Sequence, residues 1–134
     1  MAGETNLKAL LQHMEPVLNE GEFVFCTSAD TLQIDSRDII GSFREKEGMT
    51  LIVAKEKADA HQLTYDYVAA WITLNIHSAL DAVGLTAAFS NALATADISC
   101  NVIAGYYHDH IFVAKADAEK AMEVLKQLSR NAGR

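Results

Sequence analysis

Residues 65–77 alternate between apolar and more polar side chains, and this is the clearest pattern in the chain. Successive side chains of a strand point to opposite faces, so the alternation predicts a long strand with one core face. Stretches 22–27 and 49–54 are rich in Val, Ile, Phe and Thr and also predict strands. Residues 28–47 between them are expected to be polar and irregular. The core face of the long strand would carry Val68, Ala70, Ile72, Leu74 and Ile76.

Apolar residues spaced three and four apart predict helices at residues 7–14, 85–96 and 118–128. A further short helix is predicted at about 55–62, after the strand at 49–54. Thr5 is expected to cap the first helix and Asp117 the last, because a side-chain oxygen can accept a hydrogen bond from a free N–H group of the first turn.

A short motif occurs twice in the chain, as Leu-Ile-Val-Ala-Lys at 51–55 and as Ile-Phe-Val-Ala-Lys at 111–115. Each copy ends a predicted strand and opens a predicted helix. The repeat indicates two related halves, an N-terminal half at 1–64 and a C-terminal half at 65–134. The long strand that begins the second half would let the halves share strands within one compact unit.

Composition limits the kinds of partner. A length of 134 residues suits one compact domain, or two very small halves that share a core. A net charge of −7, with only 11 Lys and Arg residues, leaves no basic stripe for a phosphate backbone, so no nucleic-acid partner is expected. The apolar stretches are too short for a membrane span, and the first residues lack the pattern of a signal peptide. The sequence predicts a cytoplasmic protein without a membrane partner.

Catalytic and cofactor-binding motifs are not evident in the sequence. It contains no Ser-His-Asp order, glycine-rich phosphate loop or zinc-ligand helix. Cys26 and Cys100 lie in apolar strand patterns and are expected to be buried small hydrophobic residues. Glu45 and Glu47 belong to a charged run that is typical of a solvated loop. We therefore expect no catalytic residues and no cofactor.

A hairpin is predicted near the C-terminal end, with a strand up to Tyr107, a tight turn at His108-Asp109 and a strand through Ala114. His108 and His110 would point to the same side of an extended chain, which raises the question of a metal site. Two ligands do not make such a site. A turn in which Asp109 bonds its own backbone is the favoured interpretation, and no metal is expected.

The segment 78–86 is the strongest candidate for a binding site. A strand that leads through Asp81-x-x-Gly84 into a helix brings free N–H groups, and the positive end of a helix dipole, beside a carboxylate. These groups suit a small zwitterion, with Asp81 at its ammonium and the N–H groups at its carboxylate. A structural interpretation stays open, in which Gly84 permits close packing and Asp81 caps the helix.

The same segment, with the hairpin that follows it, resembles the ACT domains, small regulatory modules that usually bind amino acids. The resemblance covers Ser-Ala-Leu-Asp-Ala-Val-Gly-Leu-Thr-Ala-Ala-Phe at 78–89 and Ala-Asp-Ile-Ser-Cys-Asn-Val-Ile-Ala-Gly-Tyr-Tyr-His-Asp-His-Ile-Phe-Val at 96–113. The N-terminal part, with Gly-Glu-Phe-Val-Phe-Cys at 21–26 and Phe-Arg-Glu-Lys-Glu-Gly-Met-Thr at 43–50, resembles the companion half of a bacterial stand-alone ACT family without an established activity.

The resemblance implies an α+β fold of the ferredoxin-like ACT type, with two interleaved ACT-like modules, antiparallel sheets and helices packed on one face. In ACT domains the amino acid lies between two modules, held by the strand-to-helix loop of one and the start of the second strand of the other. Matched at the glycine, the implied ligand-binding residues are Ser78, Asp81, Val83, Gly84, Leu85, Thr86 and Asn101. Ala79 and Val83 replace a His and a Pro of the best-known serine-binding pattern, so serine is not implied as the ligand.

The function implied by the resemblance is that of a non-catalytic regulatory or sensor module. It would bind an amino acid or a similar small metabolite at an interface between ACT modules, as a homodimer or a higher homo-oligomer, and act on a protein partner that the sequence does not identify. Two alternatives stay open. One is a ligand-free module that serves dimerisation or docking, and the other is a small enzyme acting on an amino-acid derivative through His77, His108 or His110.

Overall fold

The computed structural model describes residues 6–29, 34–77 and 79–133. In this part of the chain the helices are α1 (Leu7–His13), α2 (Lys55–Ala60), α3 (Leu85–Thr95) and α4 (Ala118–Ala132). The strands are β1 (Glu15–Ser28), β2 (Ile39–Arg44), β3 (Met49–Ala54), β4 (Val68–Asn75), β5 (Asn101–Ala104) and β6 (Asp109–Ala114). The residues form two compact units, one comprising the chain up to Glu20 and from Ala70 onward, and one comprising Gly21–Ala69.

The first unit contains α1, α3, α4 and the hydrogen-bonded strand order β1-β4-β6-β5. Its core combines the inward residues of β4 and β6 with one face of each helix. The predicted core face of β4 is confirmed for Ala70, Ile72, Leu74 and Ile76, whereas Val68 packs against the core of the second unit. α3 packs through Leu85, Phe89 and Leu93 at the predicted helical spacing. Members of this core from the strands and from α1 and α4 include Ala70, Ile72, Leu74, Ile111, Val113, Leu10, Ala121 and Leu125.

The second unit contains α2 and the antiparallel strand order β2-β3-β1. In this register Val24 of β1 lies opposite Val53 of β3, and Leu51 of β3 lies opposite Ser42 of β2. A separate core, smaller than that of the first unit, is formed by Val24, Cys26, Ile34, Leu51, Val53 and Ala58.

The fold class is confirmed as α+β and ferredoxin-like, with two interleaved modules. Strands β1 and β4 cause the interleaving, because each passes from one unit into the other, at residues 20–21 and 69–70. The division of the chain into halves at 64 and 65 stays a prediction. No helix of the described residues is long and apolar enough to cross a membrane.

Three strand predictions were wrong in extent. β4 covers Val68–Asn75 and is shorter than the predicted strand at 65–77. β1 begins at Glu15 rather than at Glu22 and runs through Gly21, whose φ is +111°, so this glycine lies inside the strand. β2 lies within 28–47, which was expected to be irregular. Neither segment has the alternation that marks a core face, and Phe43 of β2 is 72% exposed. Hydrogen bonds to β3, rather than a buried apolar face, hold β2 in the sheet.

The predicted helix caps differ from the observed ones. Thr5 lies outside the described residues, and the Asn6 side chain caps α1 by accepting a hydrogen bond from the Ala9 N–H at 3.0 Å. Asp117 holds the predicted N-cap position of α4, but its side chain makes no capping hydrogen bond. A short 3₁₀ turn at Lys115–Asp117 leads into this helix.

The turn of the C-terminal hairpin lies at residues 105–108, two residues earlier than predicted, and Asp109 is a buried residue of β6. The Gly105 N–H donates to the His108 carbonyl oxygen at 2.9 Å. A Cβ on residue 105 would lie 2.7 Å from that oxygen, so the close approach requires glycine and fixes the start of the turn.

Candidate functional site

The loop from β4 to α3 exposes most of the side chains proposed for ligand binding. The Ala82 N–H donates to the Ala79 carbonyl oxygen at 3.0 Å and closes a turn around Asp81. The Asp81 side chain is exposed, and Leu80 and Val83 are 74% and 83% exposed. Among the described residues no ion pair involves Asp81. The loop thus presents a carboxylate and two apolar side chains that the core does not use.

Gly84 forms the N-cap of α3 in a left-handed backbone conformation, with φ at +101°. No side chain caps the helix, so Asp81 does not have the capping role that the structural interpretation gave it. A Cβ at Gly84 would lie 3.1 Å from Cδ2 of Leu7, which shows how closely α1 approaches this turn. The glycine is therefore required by both backbone conformation and packing.

The first turn of α3 leaves backbone donors available. The Ala88 N–H makes the first bond of the helix, to the Gly84 carbonyl oxygen at 2.9 Å, so the N–H groups of Leu85 and Thr86 have no acceptor within the helix. The Leu85 side chain is buried in the core and can contribute only its N–H, whereas Thr86 is exposed. Together with the helix dipole, these donors favour a carboxylate at this end of α3. Ser78 lies outside the described residues.

Asn101 occupies a different end of the first unit. It is the exposed first residue of β5 and donates from Nδ2 to the Phe112 carbonyl oxygen at 3.3 Å, which leaves Oδ1 as a possible acceptor. Gly84 precedes α3 and Asn101 follows it, and a helix of 11 residues is about 16 Å long. The structure therefore brings Asp81, Gly84, Leu85 and Thr86 together within one unit but does not bring Asn101 to them.

A hydrogen-bond network around His110 was not predicted. The Nε1–H of Trp71 donates to Nδ1 of His110 at 3.1 Å, and Oγ1 of Thr73 lies 3.2 Å from the same nitrogen. Asn19 donates from Nδ2 to Oγ1 of Thr73 at 3.0 Å and to the Trp71 carbonyl oxygen at 3.2 Å. Because Trp71 can only donate, Nδ1 accepts, and the ring carries its proton on Nε2.

The surroundings of His110 affect both its pKa and its availability to a metal ion. Burial and the nearby charge of His108 lower the pKa of His110, and burial raises the pKa of Asp109. Nδ1 of His110 already accepts hydrogen bonds and is not available to a metal ion. The described part of the chain contains no group of three or more His, Cys, Asp or Glu side chains placed to hold a metal ion.

An aromatic cluster lies at the same end of the first unit as the Asp81 loop, and the hydrophobic pattern did not predict it either. Tyr106 and Tyr107, in the hairpin turn, meet edge to face with ring centroids 5.0 Å apart. His77, at the end of β4, lies 6.1 Å from the Tyr106 ring and 5.9 Å from the Tyr107 ring. Each tyrosine is 66% exposed.

Both cysteines are free thiols, with Cys26 buried as predicted and Cys100 half-buried. Burial raises the pKa of each thiol, most simply for Cys26, where no other influence competes. A raised thiol pKa reduces the thiolate fraction at neutral pH. Burial thus disfavours the thiolate form of both residues.

Two protein-family models match the chain. One ACT domain model matches residues 2–70 and a second ACT domain model matches residues 67–127. The chain belongs to the ACT domain family. The resemblance inferred from the sequence is thereby confirmed, and so is the ACT form of the ferredoxin-like fold. No protein with a curated description matches this ACT protein.

Solved structures extend the comparison. A Vibrio cholerae protein of unknown function, described as a possible transport protein, is 48% identical, with a TM-score of 0.82 over 92% of this chain and 95% of that one. The ligand-free regulatory subunit of aspartate kinase from Thermus thermophilus is 11% identical, with a TM-score of 0.58 over 84% of this chain and 95% of that one. Clostridium acetobutylicum aspartate kinase is 12% identical, with a TM-score of 0.60, and the match covers 84% of this chain but 34% of that enzyme. The two kinase likenesses show the fold alone.

ACT domains are typically non-catalytic regulatory modules that bind small molecules. The family assignment thus supports a regulatory small-molecule-binding module, and the ligand and the interface are the subject of the proposal below.

Proposed function

We propose that this ACT protein is a cytoplasmic, non-catalytic sensor that binds an amino acid or a similar small metabolite between two copies of the chain. The observation that carries the proposal is the turn at Gly84, where an uncapped helix start and an exposed carboxylate occur side by side in a chain of the ACT family. A zwitterion carries both charges that such a turn complements.

Each residue of the proposed site has a role that its surroundings allow. Asp81 pairs with the α-ammonium of the ligand, because it is exposed and has no ion pair within the described residues. The N–H groups of Gly84, Leu85 and Thr86 bind the α-carboxylate. The exposed Val83 side chain contacts the apolar part of the ligand, and Ser78 is proposed as a further polar contact.

Asn101 joins this site only from a second copy. Its distance along α3 from Gly84 prevents it from reaching the Asp81 loop of its own unit. Oδ1 of Asn101 would accept a hydrogen bond from the ligand's ammonium, since Nδ2 is engaged by the Phe112 carbonyl oxygen. The proposal therefore includes a homodimer or a higher assembly, in which ligand binding and association of copies are linked.

A thermal-shift screen against the twenty amino acids tests the proposal. A ligand present at about 100 times its Kd should stabilise the protein by about 2.7 kcal/mol. Asp81→Ala should abolish the shift, whereas the matched control Asp66→Ala, which replaces another exposed loop aspartate, should retain it. An equal shift in wild type and Asp81→Ala would refute the proposed site.

A docking module without a ligand is the second candidate, and the exposed Phe43 on β2 favours it. β2 is at the end of the strand order in the second unit, and an edge strand with an exposed aromatic side chain can associate with another chain. Asp81→Ala combined with Asn101→Ala separates the two candidates. The sensor loses ligand-dependent stabilisation but keeps its fold, whereas a docking module shows no such stabilisation even in the wild type.

A further inference from the structure

The cluster of His77, Tyr106 and Tyr107 has no evident structural role. Each tyrosine is two-thirds exposed, and its ring contacts within the described residues are with the other two rings of the cluster or with the adjacent His108. Hairpin turns are usually built from small or polar residues. Two consecutive aromatic rings in a turn, both directed away from the core, leave ring faces open to a ligand.

The cluster lies next to the proposed site. His77 is the second residue after β4, and three residues lie between it and Asp81, so the two Cα atoms are at most about 14 Å apart. The hairpin turn reaches the same end of the unit, as the contacts of His77 with both tyrosines show. The proposal below places the side chain of a ligand whose ammonium pairs with Asp81 beside these rings.

The distribution of charged residues around the cluster indicates which kind of ligand side chain it would bind. No Lys or Arg occurs between Lys57 and Lys115, so β4, α3, β5, β6 and their loops contain no fixed cation. The same stretch contains Asp81 and four further aspartates. Ring faces of tyrosine carry negative electrostatic potential and attract cations within about 6 Å of the ring centre. An ammonium or guanidinium group would be attracted to the rings, although the exposed Lys8 of α1 adjoins Leu7, which approaches Gly84.

We propose that His77, Tyr106 and Tyr107 form a subsite for the cationic side chain of the bound ligand, which makes the ligand class a basic amino acid. This inference rests on the proposed function, because Asp81 and the start of α3 supply the contacts to the ligand's α-ammonium and α-carboxylate. The rings would then distinguish basic amino acids from neutral ones of similar length.

Calorimetric titration with L-lysine, L-arginine, norleucine and Nε-acetyl-lysine tests the subsite, because the last two retain the aliphatic chain without the charge. Lysine or arginine should bind more tightly than either neutral compound. Each exposed cation–π contact contributes about a two- to fivefold change in affinity, so Tyr106→Leu combined with Tyr107→Leu should weaken binding of the basic ligand about 5- to 30-fold. The double Phe variant, which keeps both rings, should bind as the wild type does.

The outcomes separate the two levels of the proposal. Equal binding of norleucine and lysine, a preference for aromatic amino acids, or unchanged affinity in the double Leu variant would overturn the subsite while the proposed function stands. If none of the twenty amino acids binds the wild type, amino-acid binding at the Gly84 turn is refuted and the subsite fails with it. Melting temperatures of the ligand-free variants should match the wild type, because both tyrosines lie outside the core.

Discussion

Acidification should weaken the first unit through His110. The pKa of this imidazole is lowered in the folded protein, chiefly by burial, whereas the unfolded chain has the ordinary histidine pKa of about 6.5. The stabilising contribution is therefore complete above about pH 6.5 and is lost as the pH falls from there through the folded-state pKa, because the unfolded state then binds more protons. Stability should rise with pH across this interval.

The contacts of Nδ1 set the size of the effect. Protonation at this nitrogen removes the acceptor for the Trp71 Nε1–H, whereas the Thr73 hydroxyl can turn and accept from the new N–H. A hydrogen bond of this kind contributes about 0.5–1.5 kcal/mol to stability, so losing the Trp71 bond costs about that amount. Trp71→Phe, which keeps an aromatic ring but removes the donor, should therefore remove most of the pH dependence. Thr73→Val, which leaves the Trp71 donor in place, is the matched control and should retain the pH dependence.

Urea unfolding of the wild type and of His110→Gln over a pH series measures the effect. The difference between the two unfolding free energies isolates His110 from Asp109, whose raised pKa gives the opposite dependence, with stability lost as the pH rises. This difference should decrease by about 0.5–1.5 kcal/mol as the pH falls from about 8 to about 5. A difference that stays constant over the whole series would refute the assigned tautomer and the network built on it.

Three further predictions concern the core, the Gly84 turn and the thiols. Phe89→Ala should lower the unfolding free energy by about 3–5 kcal/mol, because Phe89 is fully buried. Leu80→Ala, in the exposed loop, should change it by less than about 0.5 kcal/mol. Equal effects of the two substitutions in urea unfolding would contradict the assigned core. Gly84→Ala should cost about 1–2 kcal/mol, through its positive φ and its approach to Leu7, and an unchanged melting temperature would exclude this conformation. Cys26 should react slowly with a thiol reagent until the protein unfolds, because burial raises its pKa, and rapid labelling of the native protein would contradict that burial.

Hydrophobic periodicity predicted the elements that bury one apolar face. The helical spacing of Leu85, Phe89 and Leu93 and the alternation through β4 both reflect packing against a core, and both are confirmed. Strand β2 buries few side chains, so hydrophobic periodicity could not predict it. Backbone hydrogen bonds hold it next to β3, and these bonds do not require a particular pattern of side chains. The first part of β1 has the same difficulty, since Val17 and Leu18 are consecutive and both partly exposed.

The candidate site was predictable only as a segment. The order Asp81-x-x-Gly84 before an apolar helical stripe indicates a strand-to-helix turn, and the structure confirms that turn. Whether Asp81 caps the helix depends on the backbone conformation of the turn, which the residue order alone does not fix. In the structure no side chain caps the start of α3. The separation of Asn101 from this turn, and the meeting of His77 with Tyr106, follow from strand order and hairpin register, which link residues far apart in the chain.

The most direct test of the central claim is a complementation measurement with two variants. Asp81→Ala and Asn101→Ala are unfolded together, refolded as an equimolar mixture and titrated with the amino acid that stabilises the wild type. If each site combines Asp81 of one copy with Asn101 of another, neither variant binds alone, and random pairing into dimers restores about a quarter of the sites. A mixture that binds no better than the separate variants would contradict a site shared between copies, as would full binding by either variant alone.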